Sequence, residues 1–336
     1  MFNRKECRSG FIRGMRVLPF ALLLVAAGHA TVQAARVFTV GETKIASHAA
    51  LDADQKGFEA GLAATGFNVG ENLIILRHDA RGSRERAFDI AREFVASKVD
   101  LIHTISTPST VAAIKAGGSI PIVFSSVTDP VSAGIVDSPG GFRTVTGNRI
   151  TGVSDLWPVA FQMQLYQTMY PSATVWGTIY NASEPNSVLH VQKMREAART
   201  LDITLLEVTI TDSSQVAAAA RSLLGQVQAF MVTSDNTTVD NLAALIAFCE
   251  THSVPLFAGD IDSVRAGAVA AYGMDYFLVG YAAGRKAGLV LQGVEPGDIP
   301  WGPLAKFSFV INLGAAKRQG VTLSPAILSM ADAIVE

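Results

Sequence analysis

The chain has 336 residues, of which 49% are hydrophobic and 17% charged, and its formal net charge is −2. With a mean hydropathy of +0.31, this is the composition of a globular protein, and it excludes disordered, collagen-like and coiled-coil chains. The length predicts about two domains of ~150 residues each, and the lack of a basic surplus disfavours nucleic-acid binding.

Residues 1–34 have the pattern of a secretory signal peptide. Basic residues precede a short apolar stretch, Val17–Gly28, and Val32-Gln33-Ala34 supplies the small residues that signal peptidase recognises, so we predict cleavage after Ala34 and a periplasmic protein. The alternative, a membrane anchor, needs about 20 apolar residues, and this stretch is shorter. Cys7 is removed with the signal, so Cys249 has no partner for an internal disulfide.

The rest of the chain alternates short apolar runs with amphipathic segments. The predicted strands of the first half are Val37–Gly41, Leu73–Arg77, Leu101–Ile105 and Ile120–Ser125, and its helices are Asp52–Thr65, Arg84–Ser97 and Pro108–Ala116. Those of the second half are Thr174–Tyr180, Thr204–Val208, Ala229–Thr233 and Pro255–Ala258, with helices Ser187–Leu201, Ser214–Leu224 and Val239–Thr251. Strands that alternate with helices predict parallel sheets with right-handed crossovers, an α/β fold of two doubly wound lobes.

The two halves also resemble each other in sequence, because residues 99–106 and 227–234 share a pattern of apolar residues that leads into a polar loop and a helix. Either the chain contains an internal duplication, or the likeness is the one that all doubly wound sheets share. We predict a first lobe over residues 35–150 and a second over 151–272. Residues 273–336 would return to both lobes, so that several crossings form a hinge.

Polar residues follow most of the predicted strands, at the edge where open parallel sheets bind ligands. Several precede helices, whose free N–H groups favour an anionic group, and the aspartates could balance a cation. This pattern predicts a site for a small zwitterion between the lobes; the alternative is that the same residues are helix caps and turn formers. The predicted ligand-binding residues are Lys44, Ser47, His48, Thr107, Ser109, Thr128, Asp129, Glu184, Asn186, Ser187, Asp235, Asn236 and Asp260.

No motif of nucleophilic, phosphate-binding or metal chemistry is present in the sequence. Cys249 and His252 lie three residues apart on a predicted helix, but with no second pair they are interpreted as core and surface residues. His103 lies inside an apolar strand and is interpreted as a hydrogen-bonded core histidine. We therefore predict a protein that is not an enzyme and that uses no cofactor and no metal.

Several short motifs occur together in a specific order. They are Ala50-Leu51-Asp52, residues 123–131 (Val-Phe-Ser-Ser-Val-Thr-Asp-Pro-Val), Thr151-Gly152-Val153-Ser154-Asp155, residues 180–187 (Tyr-Asn-Ala-Ser-Glu-Pro-Asn-Ser), residues 233–237 (Thr-Ser-Asp-Asn-Thr), Phe257-Ala258-Gly259-Asp260, residues 272–276 (Tyr-Gly-Met-Asp-Tyr) and Val310-Ile311-Asn312-Leu313. In these motifs the chain resembles the ABC-transporter substrate-binding protein family whose best-known members take up tryptophan, tyrosine or phenylalanine.

The resemblance implies a type I periplasmic binding fold, with two α/β lobes joined by three hinge strands and a ligand in the cleft between them. It implies that the protein delivers a small ligand, an aromatic amino acid or a related carboxylate, to a membrane permease and its ATPase. We also predict a monomer. By resemblance, the residues that approach the ligand are Ser47, His48, Thr128, Asp129, Glu184, Asn186, Ser187, Asp235, Asn236 and Asp260. If Asp129 pairs with a buried ligand charge, Asp129→Ala should weaken binding more than ~10-fold. The alternatives are a sensory partner of a membrane receptor and, less favoured, a secreted α/β enzyme.

One loop departs from the family pattern, which reads Gln-x-x-Glu-His-Pro-Ala-Leu-Asp. Residues 44–52 of this chain have Lys44 in place of the glutamine and Ser47 in place of the glutamate. If Lys44 faces the cleft, an acid without an amine becomes a plausible ligand. If it faces away, the amino-acid interpretation holds, because Asp129, Asp235 and Asp260 remain to bind an ammonium group.

Overall fold

The computed structural model describes residues 36–137, 149–304 and 306–336. The predicted signal peptide at residues 1–34 lies outside this part of the chain. Within the described ranges, no helix has both the length and the apolar character that a membrane span requires.

The first part of the chain alternates strands and helices, as the sequence pattern predicts. Its elements are β1 (Phe38–Lys44), α1 (Ala49–Ala63), β2 (Leu73–Asp79), α2 (Arg84–Ala96), β3 (Leu101–Ile105), α3 (Thr107–Ala116), β4 (Ile122–Val127) and β5 (Ile150–Ser154). The strands β3, β4 and β5 are buried along their whole length, as strands covered on both faces by helices are.

The middle of the chain repeats this plan. Its elements are α4 (Val159–Met169), β6 (Val175–Tyr180), α5 (Pro185–Thr200), β7 (Thr204–Thr209), α6 (Val216–Ser222), β8 (Ala229–Met231), α7 (Asn236–Asp240), α8 (Leu242–His252), β9 (Leu256–Asp260), α9 (Ile261–Ala266) and β10 (Ala270–Met274). The last elements are α10 (Tyr276–Leu291), β11 (Gly302–Pro303), β12 (Ser308–Asn312), α11 (Leu313–Arg318), α12 (Pro325–Met330) and β13 (Ala333–Val335).

These strands form two sheets, one in each lobe. The first has the order β11-β5-β4-β3-β1-β2, and the second has the order β13-β12-β10-β9-β8-β6-β7. The neighbouring strands are parallel except β10 and β12. In each lobe the chain winds first to one side of the opening strand (β1 or β6) and then to the other, which is the doubly wound α/β topology predicted from the sequence.

In the described residues the chain passes between the lobes three times. It leaves the first sheet after β5 to enter α4, returns at Asp275 between β10 and α10, and crosses again between β11 and β12. Helix α10 packs on α1 of the first lobe at backbone distance, because a Cβ on Gly280 would lie 1.9 Å from the carbonyl oxygen of Asp54. Multiple crossings of this kind allow hinge closure around a ligand.

Some element predictions were wrong in detail. Residues 150–154, where the first predicted lobe meets the second, form β5, which pairs with β4 in the first sheet, although no strand was predicted there. The helix predicted over Val239–Thr251 is two helices, because the chain bends at Asn241 (φ −124°, ψ 39°) between α7 and α8. Strand pairing explains the first error and the backbone bend at Asn241 explains the second, and neither is visible in the periodicity of apolar residues.

Candidate functional site

The carboxyl ends of strands from both sheets face a narrow cleft between the lobes. Its volume is about 20 Å³, which is room for about one water molecule, so a larger ligand enters only when the lobes part. The cleft is lined by His48, Ala50, Leu51, Ser126 and Thr128 from the first lobe, Asn186, Ser234, Asp235, Asn236, Val239 and Asp260 from the second, and Asp155, Trp157 and Tyr276 from the crossing segments.

Hydrogen bonds across the cleft join the two lobes. His48 Nε2 lies 3.3 Å from Asn236 Oδ1, and Thr128 Oγ1 lies 3.3 Å from Ser234 Oγ. At the rim, Arg84 Nη1 donates to the carbonyl oxygen of Ser183 over 2.7 Å. The lobes are therefore in a closed arrangement.

Three buried carboxylates line the cleft. The Asp235 carboxylate accepts from the N–H groups of Asn181 and Thr238 and thereby caps α7. Asp260 caps α9 by accepting from Ser263 N and Oγ at 2.8 and 2.7 Å. Asp155 accepts from Tyr276 Oη at 2.6 Å. Burial raises the pKa of both Asp155 and Asp260, because the charged form loses hydration in the cleft.

The charge of the cleft is one-sided. The described residues that line it include three aspartates and His48 but no lysine or arginine. The pKa of His48 is lowered, chiefly by burial, although Asn236 and Asp260 oppose the shift, so its imidazole adds no fixed positive charge at neutral pH. A cationic group on the ligand would balance the charge of the buried acids. A ligand that carries only negative charge would be repelled by them.

Some polar atoms at the cleft have no hydrogen-bond partner among the described residues. They include His48 Nδ1, Asp155 Oδ1, Trp157 Nε1 and Asn186 Oδ1. A buried polar atom without a partner costs free energy unless a ligand or water satisfies it. Asp155 Oδ1 and Asn186 Oδ1 can accept hydrogen bonds from an ammonium group, whereas the indole N–H of Trp157 can donate to a carboxylate.

Aromatic rings form part of the cleft wall. Trp157 and Tyr276 are each only 3% exposed, and the Trp157 ring stacks on His190 with centroids 4.8 Å apart. Gly259 makes room for this ring, because a Cβ there would lie 1.9 Å from it. Flat rings beside buried acids suit a ligand that has both an apolar body and a charged end.

The structure brings together six of the predicted site residues in the cleft. They are His48, Thr128, Asn186, Asp235, Asn236 and Asp260. His48 stands at the N-terminal end of α1, and Asp235 and Asp260 cap α7 and α9, so three helices begin at the cleft. Capping and ligand contact are thus compatible functions of the same residues.

Lys44 and Ser47 lie outside the cleft lining. The Lys44 ammonium pairs with the Asp52 carboxylate of its own lobe and lies 3.3 Å from Gln55 Oε1. Ser47 is exposed and donates to Asp52 at 2.9 Å. Lys44 therefore faces neither the cleft nor open solvent, because a neighbouring acid holds it.

Thr107 and Asp129 line a neighbouring opening between the lobes, which Asn186 also borders. The Asp129 carboxylate accepts from the N–H groups of Val131 and Ser132, both at 3.0 Å, and from Ser132 Oγ at 2.6 Å. The Asp129 carboxylate is thus hydrogen-bonded within its own turn.

Glu184 and Ser187 lie behind the cleft lining and form hydrogen bonds to residues at the start of α7. The Glu184 carboxylate accepts from the backbone N–H groups of Asn236 and Thr237 at 3.1 and 3.0 Å, and burial together with nearby Asp235 raises its pKa to about 7. Ser187 Oγ donates to Asp235 at 2.6 Å. Ser109 is buried in α3 and its hydroxyl has no partner among the described residues.

The sequence reasoning missed Asp155, Trp157 and Tyr276 as cleft residues. All three lie on segments that cross between the lobes, and none of them follows a strand that the sequence pattern predicts. The signal that could have found Asp155 is its position directly after Ser154, in a motif already noted. The motif covers most of β5, and the sequence pattern predicts no strand there.

The interpretation of Cys249 and His252 agrees with the structure, in which Cys249 is buried and His252 is exposed. Within the described ranges no three His, Cys, Asp or Glu side chains form a group that could hold a metal ion.

Comparison with known proteins gives a consistent result. A family model described as ABC transporter substrate binding protein matches residues 39–335. A tyrosine-binding protein of Clostridioides difficile is 36% identical over 276 residues, which cover 81% of this chain and 78% of that protein. The structure is also similar to a domain from Streptococcus pneumoniae in complex with L-Trp, with a TM-score of 0.83 and 25% identity over 89% of this chain and all of that one.

A second solved structure shows which arrangement of the lobes this chain adopts. The ligand-free, open structure of a substrate binding protein with adhesive properties from Clostridium difficile gives a TM-score of only 0.64, at 30% identity over 89% of this chain and 99% of that one. The chain is closer in sequence to this open structure but closer in shape to the L-Trp complex. This agrees with the hydrogen bonds that close the cleft.

Proposed function

The chain belongs to the ABC transporter substrate binding protein family, and we propose that it is the periplasmic receptor of an importer for an aromatic amino acid. The family and the relatives are substrate-binding proteins, in agreement with the prediction that the chain is not an enzyme. The names of two relatives specify tyrosine and L-Trp, so the aromatic amino acids are the first ligands to test.

One observation carries the ligand class: the lining of the cleft has three carboxylates and, among its described residues, no lysine or arginine. An α-ammonium group near Asp155 would find in Asp155 Oδ1 a buried acceptor that no described residue occupies. Charge-assisted hydrogen bonds of this kind are about twice as strong as neutral ones. The ligand's carboxylate would lie toward the beginning of α1 and the indole N–H of Trp157, and its side chain against the aromatic wall.

The placement of Lys44 supports an amino acid over an acid that lacks the amine. Lys44 is the cation that would favour a purely anionic ligand, but its ammonium is engaged by Asp52. The acids at the cleft would instead repel an anion whose charge no ammonium group balances.

Ligand recognition would act through the position of the lobes. The cleft residues come from both lobes and from the segments that join them, so a ligand between them contacts more groups in the closed form than in the open form. A ligand shifts an equilibrium by its difference in affinity for the two states. The closed form would then be the state that the permease recognises, with its ATPase driving uptake.

Export to the periplasm depends on the predicted signal peptide at residues 1–34, and the receptor would work as a monomer. The test of location is N-terminal sequencing of the protein from a periplasmic fraction. A start at residue 35 is expected, and an intact N-terminus in the cytoplasmic fraction would contradict the proposal.

Isothermal titration of the purified protein with L-tyrosine, L-tryptophan and L-phenylalanine tests the ligand class. We expect at least one of them to bind with one-site stoichiometry, and L-lysine and L-glutamate to serve as controls that bind more weakly. If none of the three aromatic amino acids binds, the proposed ligand class is wrong. Loss of uptake of the bound amino acid in a deletion strain would support the importer, and unchanged uptake would count against it.

A further inference from the structure

A chain of buried polar side chains runs from the cleft into the core of the first lobe. Ser126, in the cleft wall, donates from Oγ to Asp54 Oδ2, and Asp54 Oδ1 lies 2.8 Å from Ser125 Oγ. Ser125 Oγ lies 2.9 Å from His103 Nε2, and His103 Nδ1 lies 3.1 Å from Glu42 Oε2. All five residues are at most 4% exposed. His103 is thus the hydrogen-bonded core histidine that the sequence predicts.

The number of protons that these hydrogen bonds need limits which of the five side chains can be protonated. Glu42 Oε1 accepts from Gln55 Nε2 at 2.6 Å and forms an ion pair with Arg77 Nε at 3.2 Å. As the partner of this cation, Glu42 accepts at Oε2 from His103 Nδ1. If His103 is neutral, its Nε2 has no proton and must accept the single hydroxyl proton of Ser125. Ser125 then has none left for Asp54, so the contact requires a proton on Asp54.

The alternative assigns that proton to His103, which would then be a buried imidazolium beside an ionised Asp54. The surroundings oppose this. The His103 ring is stacked on Phe58 with centroids 3.5 Å apart, and burial lowers its pKa. Burial and the neighbouring acids raise the pKa of Asp54 to about 8. Both shifts place the proton on Asp54 at neutral pH.

The elements packed around Asp54 offer it no positive partner. Beyond the two serines of β4, the groups that face it are Glu42 from β1 and Asp155 from the crossing segment, which are both acids, and the neutral His103 from β3. Helix α10 contributes the backbone of Gly280. Among the described residues no lysine or arginine forms an ion pair with Asp54.

Ser126 has a conformation that needs support. Its φ is +53°, in the left-handed region that a non-glycine residue occupies at a cost. The pairing of β4 with β5 is irregular between Phe124 and Val127, so Ser125 and Ser126 lie in a bulge of the strand that faces the cleft. Bulges beside functional sites redirect side chains, and here the redirected hydroxyl is held by Asp54.

We propose that Asp54 is a positioning residue: as a neutral carboxylic acid it holds the Ser125–Ser126 bulge in the shape that the ligand requires. It does not itself contact the ligand. This inference rests on the proposed function insofar as it concerns ligand affinity, but the protonation of Asp54 can be measured without any ligand.

The variants Asp54→Asn and Asp54→Ala separate a neutral positioning group from a charged one. An asparagine can donate from Nδ2 to Ser125 and accept at Oδ1 from Ser126, as the protonated acid does. We expect Asp54→Asn to bind L-tyrosine, L-tryptophan or L-phenylalanine, whichever binds to the wild type, within threefold of the wild-type Kd. Asp54→Ala should weaken that binding at least tenfold. If Asp54→Asn loses as much affinity as Asp54→Ala, the charge of Asp54 is required and the inference is overturned.

The ligand-free test is urea unfolding of the wild type and Asp54→Asn between pH 5 and pH 9. The pKa of Asp54 is raised on folding, so the folded state retains a proton that the unfolded chain releases. The stability that this proton provides is complete below the unfolded pKa of ~3.9 and is lost as pH rises to about 8. Relative to Asp54→Asn, the unfolding constant of the wild type should rise up to ~10-fold per pH unit between pH 5 and pH 8.

Parallel pH profiles for the two proteins would overturn the inference. This measurement uses no ligand, so it tests the protonation of Asp54 even if the proposed ligand class is wrong. Burial also raises the pKa of Glu184 and of Asp262 to about 7, but both residues are present in the wild type and in Asp54→Asn, so their titration cancels in the comparison. If Asp54→Ala does not fold, the pH profile and affinity of Asp54→Asn still decide the question.

Discussion

Removing the charge of Asp155 should weaken amino-acid binding more than any other conservative change in the cleft. Asp155 is 3% exposed, and its Oδ2 is fixed by the hydroxyl of Tyr276. In Asp155→Asn the amide can keep the bond from Tyr276, so the fold is preserved while the negative charge is lost. The ligand's ammonium would then be buried without its anionic partner.

The size of the loss follows from the burial of the pair. Breaking one partner of a buried, hydrogen-bonded charge pair costs about 2–5 kcal/mol. With ~1.4 kcal/mol for each factor of ten, the lower limit corresponds to about 30-fold. Screening reduces this little, because Asp155 is shielded from solvent. The assay is isothermal titration of wild type and Asp155→Asn with the aromatic amino acid that binds most tightly.

Asp129→Asn is the matched control. Asp129 is also an aspartate close to the lobe boundary, but its carboxylate accepts from its own turn and lies at a separate opening. An asparagine can cap the same turn, so the Kd should stay within threefold. A smaller loss in Asp155→Asn than in Asp129→Asn would refute the argument that Asp155 is the ammonium partner.

Three further predictions concern the packing of α10 on α1, the role of Lys44 and the closure of the lobes. Gly280→Ala should destabilise the protein by ~1–3 kcal/mol in urea unfolding, since its Cβ would meet the backbone of α1; Gly302→Ala, whose Cβ would meet no described atom within 4 Å, should be neutral, and equal effects would contradict the packing argument. Lys44→Gln should leave the amino-acid Kd within threefold, because Lys44 pairs within its own lobe; a tenfold loss would place Lys44 at the ligand. Arg84→Ala should weaken binding at most about fivefold, since an exposed contact of this kind contributes ~0–1 kcal/mol. Small-angle scattering should show a larger radius for this variant in the presence of ligand, and an unchanged radius and Kd would remove Arg84 from the closure mechanism.

The fold was largely predictable from the sequence because buried parallel strands and amphipathic helices leave strong periodic signals. The strands around Leu101 and Ala229 are examples. The strand Ile150–Ser154 was missed because its Thr, Gly and Ser residues are small and polar, and what buries them is the pairing with β4 and β11.

The site was predictable only in part. Asp235 and Asp260 follow strands, and the rule that ligands bind at strand ends finds them. The rule could not say that Asp129 turns back to its own loop while Asp155 points to the cleft. Side-chain direction depends on hydrogen bonds to residues far along the chain, such as Tyr276 to Asp155, and no local pattern records them.

The central claim is that the acids of the cleft select a ligand with an ammonium group. The most direct test is a thermal-shift comparison of L-tyrosine with 3-(4-hydroxyphenyl)propionate, which differs only by lacking the amine. A ligand that binds the folded state alone raises Tm, and at a given concentration the rise is larger for a tighter ligand. We predict a rise with L-tyrosine and none with the amine-free acid at equal concentration. An equal rise with both, or a rise with the amine-free acid alone, would contradict the claim.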